Sequence, residues 1–259
     1  MDNRRCVFAG PSLSGVSSAR GVDFFAPASL GSLYLAYEKG YRVIGLVDGF
    51  FGSVPAVWHK EILHLMKLGV RVVGSSSIGA LRAVELETFG MMGVGAVFRL
   101  YRRGSILDED EVCVVHAPGH LGFLPLSIAM IDLRFFFRSL KRTGVLSVDD
   151  EVFAIDAMKR LHFSDRTLDK VSDLLRGLGA LKGDLNRTLR DSVCAASIKR
   201  SDALKLVRFV RGVDGDFFEG NAPNHETEYW RRVYQSEYDM IPRLTRWATN
   251  GVCMQKNGK

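Results

Sequence analysis

The four cysteines, Cys6, Cys113, Cys194 and Cys253, are scattered with no Cys-x-x-Cys spacing. That excludes the common structural zinc patterns and a disulfide-stapled scaffold, and leaves reduced thiols, two of them inside apolar strand-like segments. Long apolar runs are missing too. The longest weakly polar stretch, Leu121 to Ile131, contains Pro125 and stops at Asp132, well short of the roughly 20 residues a membrane-spanning helix needs. Met1-Asp2-Asn3-Arg4-Arg5 runs into a short strand-like segment and then Gly10-Pro11, which is not the pattern of a secretion signal. A cytoplasmic protein with no membrane partner is therefore expected. Helix-turn-helix, zinc-finger and aromatic-studded basic strand motifs are absent, so nucleic acid ranks low among partners. There is no internal repeat and no low-complexity tract.

What is present suits a globular enzyme-sized chain. The 259 residues are 47% hydrophobic and 25% charged, enough to bury a core and too apolar for a disordered chain. The net charge of +6 is uneven: residues 160–259 hold 18 Lys/Arg against 13 Asp/Glu, and residues 1–159 hold 17 against 16. A basic C-terminal half suits either a solvated helix face or a docking surface for an acidic partner.

The first half alternates short apolar strands with helices. Strands are expected at Cys6–Ala9, Phe24–Ala26, Arg42–Val47, Val70–Val73 and Glu111–Val115, with helices near Leu30–Lys39, Pro55–Leu68 and Ile78–Phe89. Strands and helices of these lengths predict right-handed crossovers. The fold class expected is α/β: a Rossmann-like, mostly parallel sheet with helices on both faces, followed by a mainly helical C-terminal part. An α/β core domain over 1–125, a helical region over 126–248 and a frayed tail over 249–259 follow. Ser147-x-x-Asp150, Ser164-Asp165, Ser201 and Asn224 are read as helix starts in the second half.

In open parallel sheets, ligands bind outside the carboxyl ends of the strands. The segments after the proposed strands are Gly10-Pro11-Ser12, Asp48-Gly49, Gly74-Ser75-Ser76-Ser77 and His116-Ala117-Pro118, and all fall on one rim. Ser75-Ser76-Ser77-Ile78-Gly79 has the strand-turn-helix pattern of a nucleophile elbow, and equally that of a helix cap or an anion-binding helix start. It is not a phosphate loop, because the spacing and the lysine are missing. In Trp58-His59-Lys60-Glu61 the three polar side chains point to different helix faces. His59 or Lys60 can serve as a base, or as a buried imidazole and a solvated charge. Asp48 can orient such a base or make an Asx turn. Arg82 and Glu85, at i and i+3, can pair, or Arg82 can clamp an anion. His116 and His120 bracket a Pro-Gly turn, with no carboxylate spacing to make a metal site.

These motifs resemble the TfuA family. The resemblance rests on Val7–Leu13, Val47–Phe51, Val57–Ile62, Gly74–Ala83 with Glu85-Leu86, and on Phe89–Met91, Gly93–Gly95, Asp110–Val112 and His116. It covers roughly residues 5–120, with conservative departures at Ser75, Ile78, Val84 and Cys113. It implies partnership with a YcaO-type enzyme in thioamide formation on a ribosomally made precursor peptide. It also implies hydrolysis of a thiocarboxylated, ThiS-like sulphur-carrier protein to release sulphide, or else an adaptor role that docks peptide or carrier. With that activity in mind, Ser77 is the expected nucleophile and Ser76 its rival. Lys60 or His59 is then the base, Asp48 its orienter, and the Ile78 and Gly79 amides the oxyanion donors. Arg82, Ser12, Glu85 and His116 complete the expected binding residues. No cofactor and no metal are expected, and a nucleotide-binding protein of the same fold is a further reading.

Overall fold

The protein is described from a computed structural model covering residues 4–16, 19–50, 52, 54–180 and 186–213. Five strands form one sheet: β1 (Arg4–Phe8), β2 (Asp23–Phe25), β3 (Tyr41–Leu46), β4 (Arg71–Ser75) and β5 (Met92–Val94). All neighbouring pairs are parallel, in the order β2-β1-β3-β4-β5. The chain first steps from β1 to β2 and then returns to the other side of β1 with β3. The carboxyl ends of β1 and β3 therefore diverge into a crevice where the order reverses.

Both faces of the sheet are covered, which explains why its central strands are apolar throughout. On one face Cys6, Phe8, Ile44, Leu46 and Val72 pack with α1 (Ser32–Glu38), α2 (His59–Lys67), α3 (Ile78–Leu86) and α4 (Ala96–Arg102). On the other, Val7, Val43 and Val73 meet Ala203, Leu206, Val207 and Val210 of α9 (Ile198–Gly212). A third cluster lies within the helices α5 (Met130–Arg142), α6 (Val148–Lys159), α7 (Leu168–Gly177) and α8 (Asn186–Ala195), with Phe136, Phe137, Ala154 and Val171 at its centre. The α/β class and the mainly helical second half are as the sequence predicts, and α9 returns from that half to form a layer of the sheet domain.

Several local expectations are corrected. Residues 111–115 are not a strand: a 3-10 turn at Glu109–Glu111 leads into an irregular segment across the carboxyl rim. Its polar groups are spent elsewhere, the Val115 amide on Ser127 Oγ and the Val112 carbonyl on Lys199. α2 begins at His59 rather than Pro55, because the Pro55 carbonyl is held by the Leu30 amide at 2.9 Å. α9 is capped by Ser197, whose hydroxyl accepts from the Arg200 amide, and not by Ser201. Ser164 and Asp165 lie in a 3-10 turn, and α7 starts after Thr167. The Ser147–Asp150 capping box is present as expected. β5 has no counterpart among the expected strands, and the helix start expected at Asn224 lies outside the described residues.

One close approach fixes where α3 can sit. A Cβ at Gly79 would lie 1.8 Å from the Leu46 carbonyl oxygen, and one at Gly74 would lie 2.0 Å from the Gly79 carbonyl oxygen. Only two glycines let the helix start lie directly on β3 and β4. Gly79→Ala is therefore expected to destabilise the protein by about 3 kcal/mol or more. Gly177→Ala, with nothing within 4 Å of its added Cβ, is expected to be neutral or slightly stabilising. Urea unfolding of both variants checks the pair.

Candidate functional site

The crevice between β1 and β3 is closed by one carboxylate. Asp48 is 2% exposed. Its Oδ2 accepts from the amides of Gly10 and Ser12, both at 2.9 Å, and its Oδ1 accepts from Ser12 Oγ at 2.7 Å. Asp48 thus ties the turn after β1 to the end of β3, and it serves Gly10 and Ser12 rather than His59 or Lys60.

One strand further on, β4 breaks at Ser75 and the chain turns sharply into α3. Ser76 carries the turn with a φ of +68°, a left-handed conformation that a non-glycine residue holds at a cost of about 1–3 kcal/mol. The elbow-like backbone therefore belongs to Ser76, whose side chain is fully buried. Its Oγ lies 2.9 Å from the Lys199 carbonyl and 3.1 Å from Ser12 Oγ. Ser12 gives its own proton to Asp48, so both neighbours draw on the single Ser76 proton. Ser75 Oγ is likewise committed, donating to the Val94 carbonyl at 2.6 Å.

Ser77 is the serine that opens outward. It lines a cavity of about 330 Å³ with Pro11, Asp48, Gly49, Phe50, Cys113 and His116. Lys199 Nζ reaches its Oγ at 3.3 Å and the Val112 carbonyl at 2.5 Å, whereas the Ser77 hydroxyl has only a 3.5 Å approach to the Val112 carbonyl as donor. Lys199 is 3% exposed. Its main-chain amide is held by Asp132 Oδ1 at 3.0 Å, and Asp132 Oδ2 accepts from Ser197 Oγ. Burial pushes the Asp132 carboxyl above its ordinary range, against the opposing charge of Lys199. A second cavity, of about 630 Å³, is lined by Ser12, Asp132, Ser197 and Lys199 and shares Pro11 and Val114 with the first.

The expected oxyanion pair is half corrected. The Gly79 amide donates to the Val47 carbonyl at 3.2 Å, a consequence of the close docking of α3 on β3. Ile78 is the first residue of α3, and its amide has no intrahelical carbonyl to bond. His116 also lines the Ser77 cavity, its ring edge-on to Phe123 and tilted on Phe50. With the proton on Nδ1, which lies 2.9 Å from the Ala117 carbonyl, its Nε2 is an acceptor.

The remaining expected residues form a separate group. His59 Nε2 and Arg82 each meet Glu85 Oε2 at 2.7 Å, and Arg82 Nε also donates to the Val57 carbonyl. Burial raises the Glu85 carboxyl, but the bonds from His59 and Arg82 outweigh it and hold the group below its usual value. Lys60 has no hydrogen bond or ion pair among the described residues. None of His59, Lys60, Arg82 and Glu85 lines the cavity of Ser77. The buried member of the Trp-His-Lys-Glu run is Glu61, fully enclosed. Its carboxylate accepts from the Gly31, Leu33 and Tyr34 amides at 2.9, 3.0 and 3.1 Å, capping α1 from α2.

Among the described residues, Asp108, Asp110 and Glu111 bring their oxygens close enough to hold a cation. The Lys159 ammonium already bonds all three. Asp110 also accepts from the buried Arg166 at 2.5 Å, and Glu111 from Arg134.

The residues that sequence reasoning missed are Lys199 and Asp132. A signal for Lys199 was present: it falls in register with Ala203, Leu206 and Val210, on the buried stripe of α9. A lysine on an apolar stripe implies a buried partner. Residues 48–167 match the family model of TfuA-like proteins. No curated protein matches the chain. No helix among the described residues is long and apolar enough to cross a membrane.

Glu61 gives a pH signature. Burial, opposed by its three amide bonds, pushes its carboxyl up to about 7 from 4.5. The folded state then binds the proton more tightly than the unfolded chain, so this stabilisation is full below about pH 4.5 and is lost as pH rises through about 7. The span corresponds to about 3 kcal/mol. Denaturant unfolding from pH 5 to 8 is expected to show Glu61→Gln losing this slope relative to the unmodified protein, and parallel pH curves would contradict it.

Proposed function

Residues 48–167 match the family model of TfuA-like proteins, and from that match we propose that the chain hydrolyses a thiocarboxylated sulphur-carrier protein, supplying sulphide to a YcaO-type enzyme that forms thioamides on a precursor peptide. The observation that carries this reading is the contact between the buried Lys199 ammonium and the hydroxyl of Ser77, which lines the 330 Å³ cavity. Hydrolysis of a thiocarboxylate is acyl transfer to water. It needs a nucleophile, a group that exchanges its proton and a donor for the tetrahedral oxygen.

Each need has a residue. Once the Lys199 ammonium has released a proton to solvent, Ser77 Oγ passes its own proton to the freed amine and attacks the thiocarboxyl carbon. The Ile78 amide, at the start of α3, faces the developing oxyanion. Collapse breaks the carbon–sulphur bond as Lys199 hands the serine proton to the leaving sulphur, which departs as hydrosulphide and leaves an ester on Ser77. Water then attacks the ester, Lys199 carries the proton, and the carrier leaves as its carboxylate with the serine hydroxyl restored. The base assigned here is Lys199 in place of His59 or Lys60, and Asp48 acts by closing the crevice rather than by orienting a base.

A docking role is a second reading, favoured by the exposed apolar side chains Val148, Val152 and Phe153 on α6. The two readings separate on Ser77. With purified thiocarboxylated carrier, Ser77→Ala is expected to reduce sulphide release to background, and Lys199→Ala to lower it by about 10²–10⁴-fold, with melting temperatures confirming the fold. Full release by Ser77→Ala removes the hydrolase reading. Support of thioamidation by the same variant would leave docking as the function.

A further inference from the structure

The Ser77–Lys199 contact depends on where a long, flexible side chain is rooted, and its root is held from two sides. Lys199 is the second residue of α9, where the main-chain amide has no partner inside the helix. That amide goes to Asp132 Oδ1 at 3.0 Å, and the same carboxylate takes Ser197 Oγ at 3.0 Å. The helix already has its own cap, because Ser197 Oγ accepts from the Arg200 amide at 3.1 Å. Asp132 is therefore an additional cap, supplied across the interface by α5. On the other side, Ser76 Oγ lies 2.9 Å from the Lys199 carbonyl. An α-helical carbonyl there needs no extra donor to complete the helix, yet a strained left-handed backbone at Ser76 aims a buried hydroxyl at it. Through Ser12 this hydroxyl is also joined to Asp48.

We infer that Asp132 and Ser76 are positioning residues, which set the place of the Lys199 ammonium against Ser77 by clamping the lysine's main chain at its amide and its carbonyl. The inference rests on the reading of Ser77 and Lys199 as an acylating pair. It gives the unusual backbone at Ser76 a purpose: the corner that presents Ser77 to the cavity also anchors the residue that takes its proton.

The test follows acylation of Ser77 by p-nitrophenyl acetate, read as the rate of the p-nitrophenol burst and by intact mass, in the full chain. Asp132→Asn and Ser76→Ala are each expected to slow acylation by about 10- to 100-fold, with the concentration for half-saturation unchanged. Ser76→Gly suits the left-handed backbone and lacks the hydroxyl, so it is expected to keep the fold and show the same loss. In a Lys199→Ala background none of the three should slow the residual rate further, because they act through the lysine. Equal losses in both backgrounds, or a full rate in Ser76→Gly, would overturn the clamp while leaving the pair intact. A wild-type rate in Lys199→Ala itself would overturn the pair and the clamp together.

Discussion

Enclosing the Lys199 ammonium is the constraint around which the domain is arranged. A charge taken out of water is costly unless it is bonded and paired, and here the Val112 carbonyl and Ser77 Oγ accept its hydrogen bonds while the buried Asp132 carboxylate supplies an opposing charge. Meeting it requires parts that are distant in sequence. The segment after the 3-10 turn at 109–111 must stay irregular to offer a carbonyl, α5 must bring Asp132, and α9 must lie across the underside of the sheet. The last requirement is met by shape: Gly45 leaves room for Leu206 and Val210 on β3.

The same economy of space governs the rim. Two further carboxylates act as buried pins rather than as chemical groups. Asp48 joins the ends of β1 and β3, and Glu61 joins α2 to the start of α1. A third, Asp202, is fully buried and accepts from the Val97 amide at 2.8 Å, fastening α9 to the start of α4. Each satisfies backbone amides that a helix start or a tight turn leaves unpaired. The candidate site is thereby built on anchored elements, as any preorganised functional site requires.

The sheet was legible because its central strands are apolar on both faces and its helices carry glycine stops, so β1, β3 and β4 with the helices after β3 and β4 appear in the sequence pattern. β5 was not, since Met92-Gly93-Val94 is too short and too glycine-rich to signal a strand. The apolar run at 111–115 misled for a tertiary reason, its polar groups being claimed by Ser127 and Lys199. Within the site, Ser77 and its rim were legible from position alone. The roles of His59 and Lys60 were not decided by spacing, because the helix start at His59 turns the motif toward Glu85 and puts Glu61 inside. Lys199 lies 122 residues from its serine, a separation that no local pattern bridges.

The matched region runs from Asp48 to Thr167 and closes on the Arg166–Asp110 bond, so it has the look of a self-sufficient module. Yet the lysine that meets Ser77 arrives on the last described helix, after that region has ended. A protease cut or an engineered boundary near residue 170 would keep every recognisable motif and discard that lysine. Such a fragment would still match the TfuA-like family model and would still carry the serine corner, but Ser77 would have lost the buried amine that meets it.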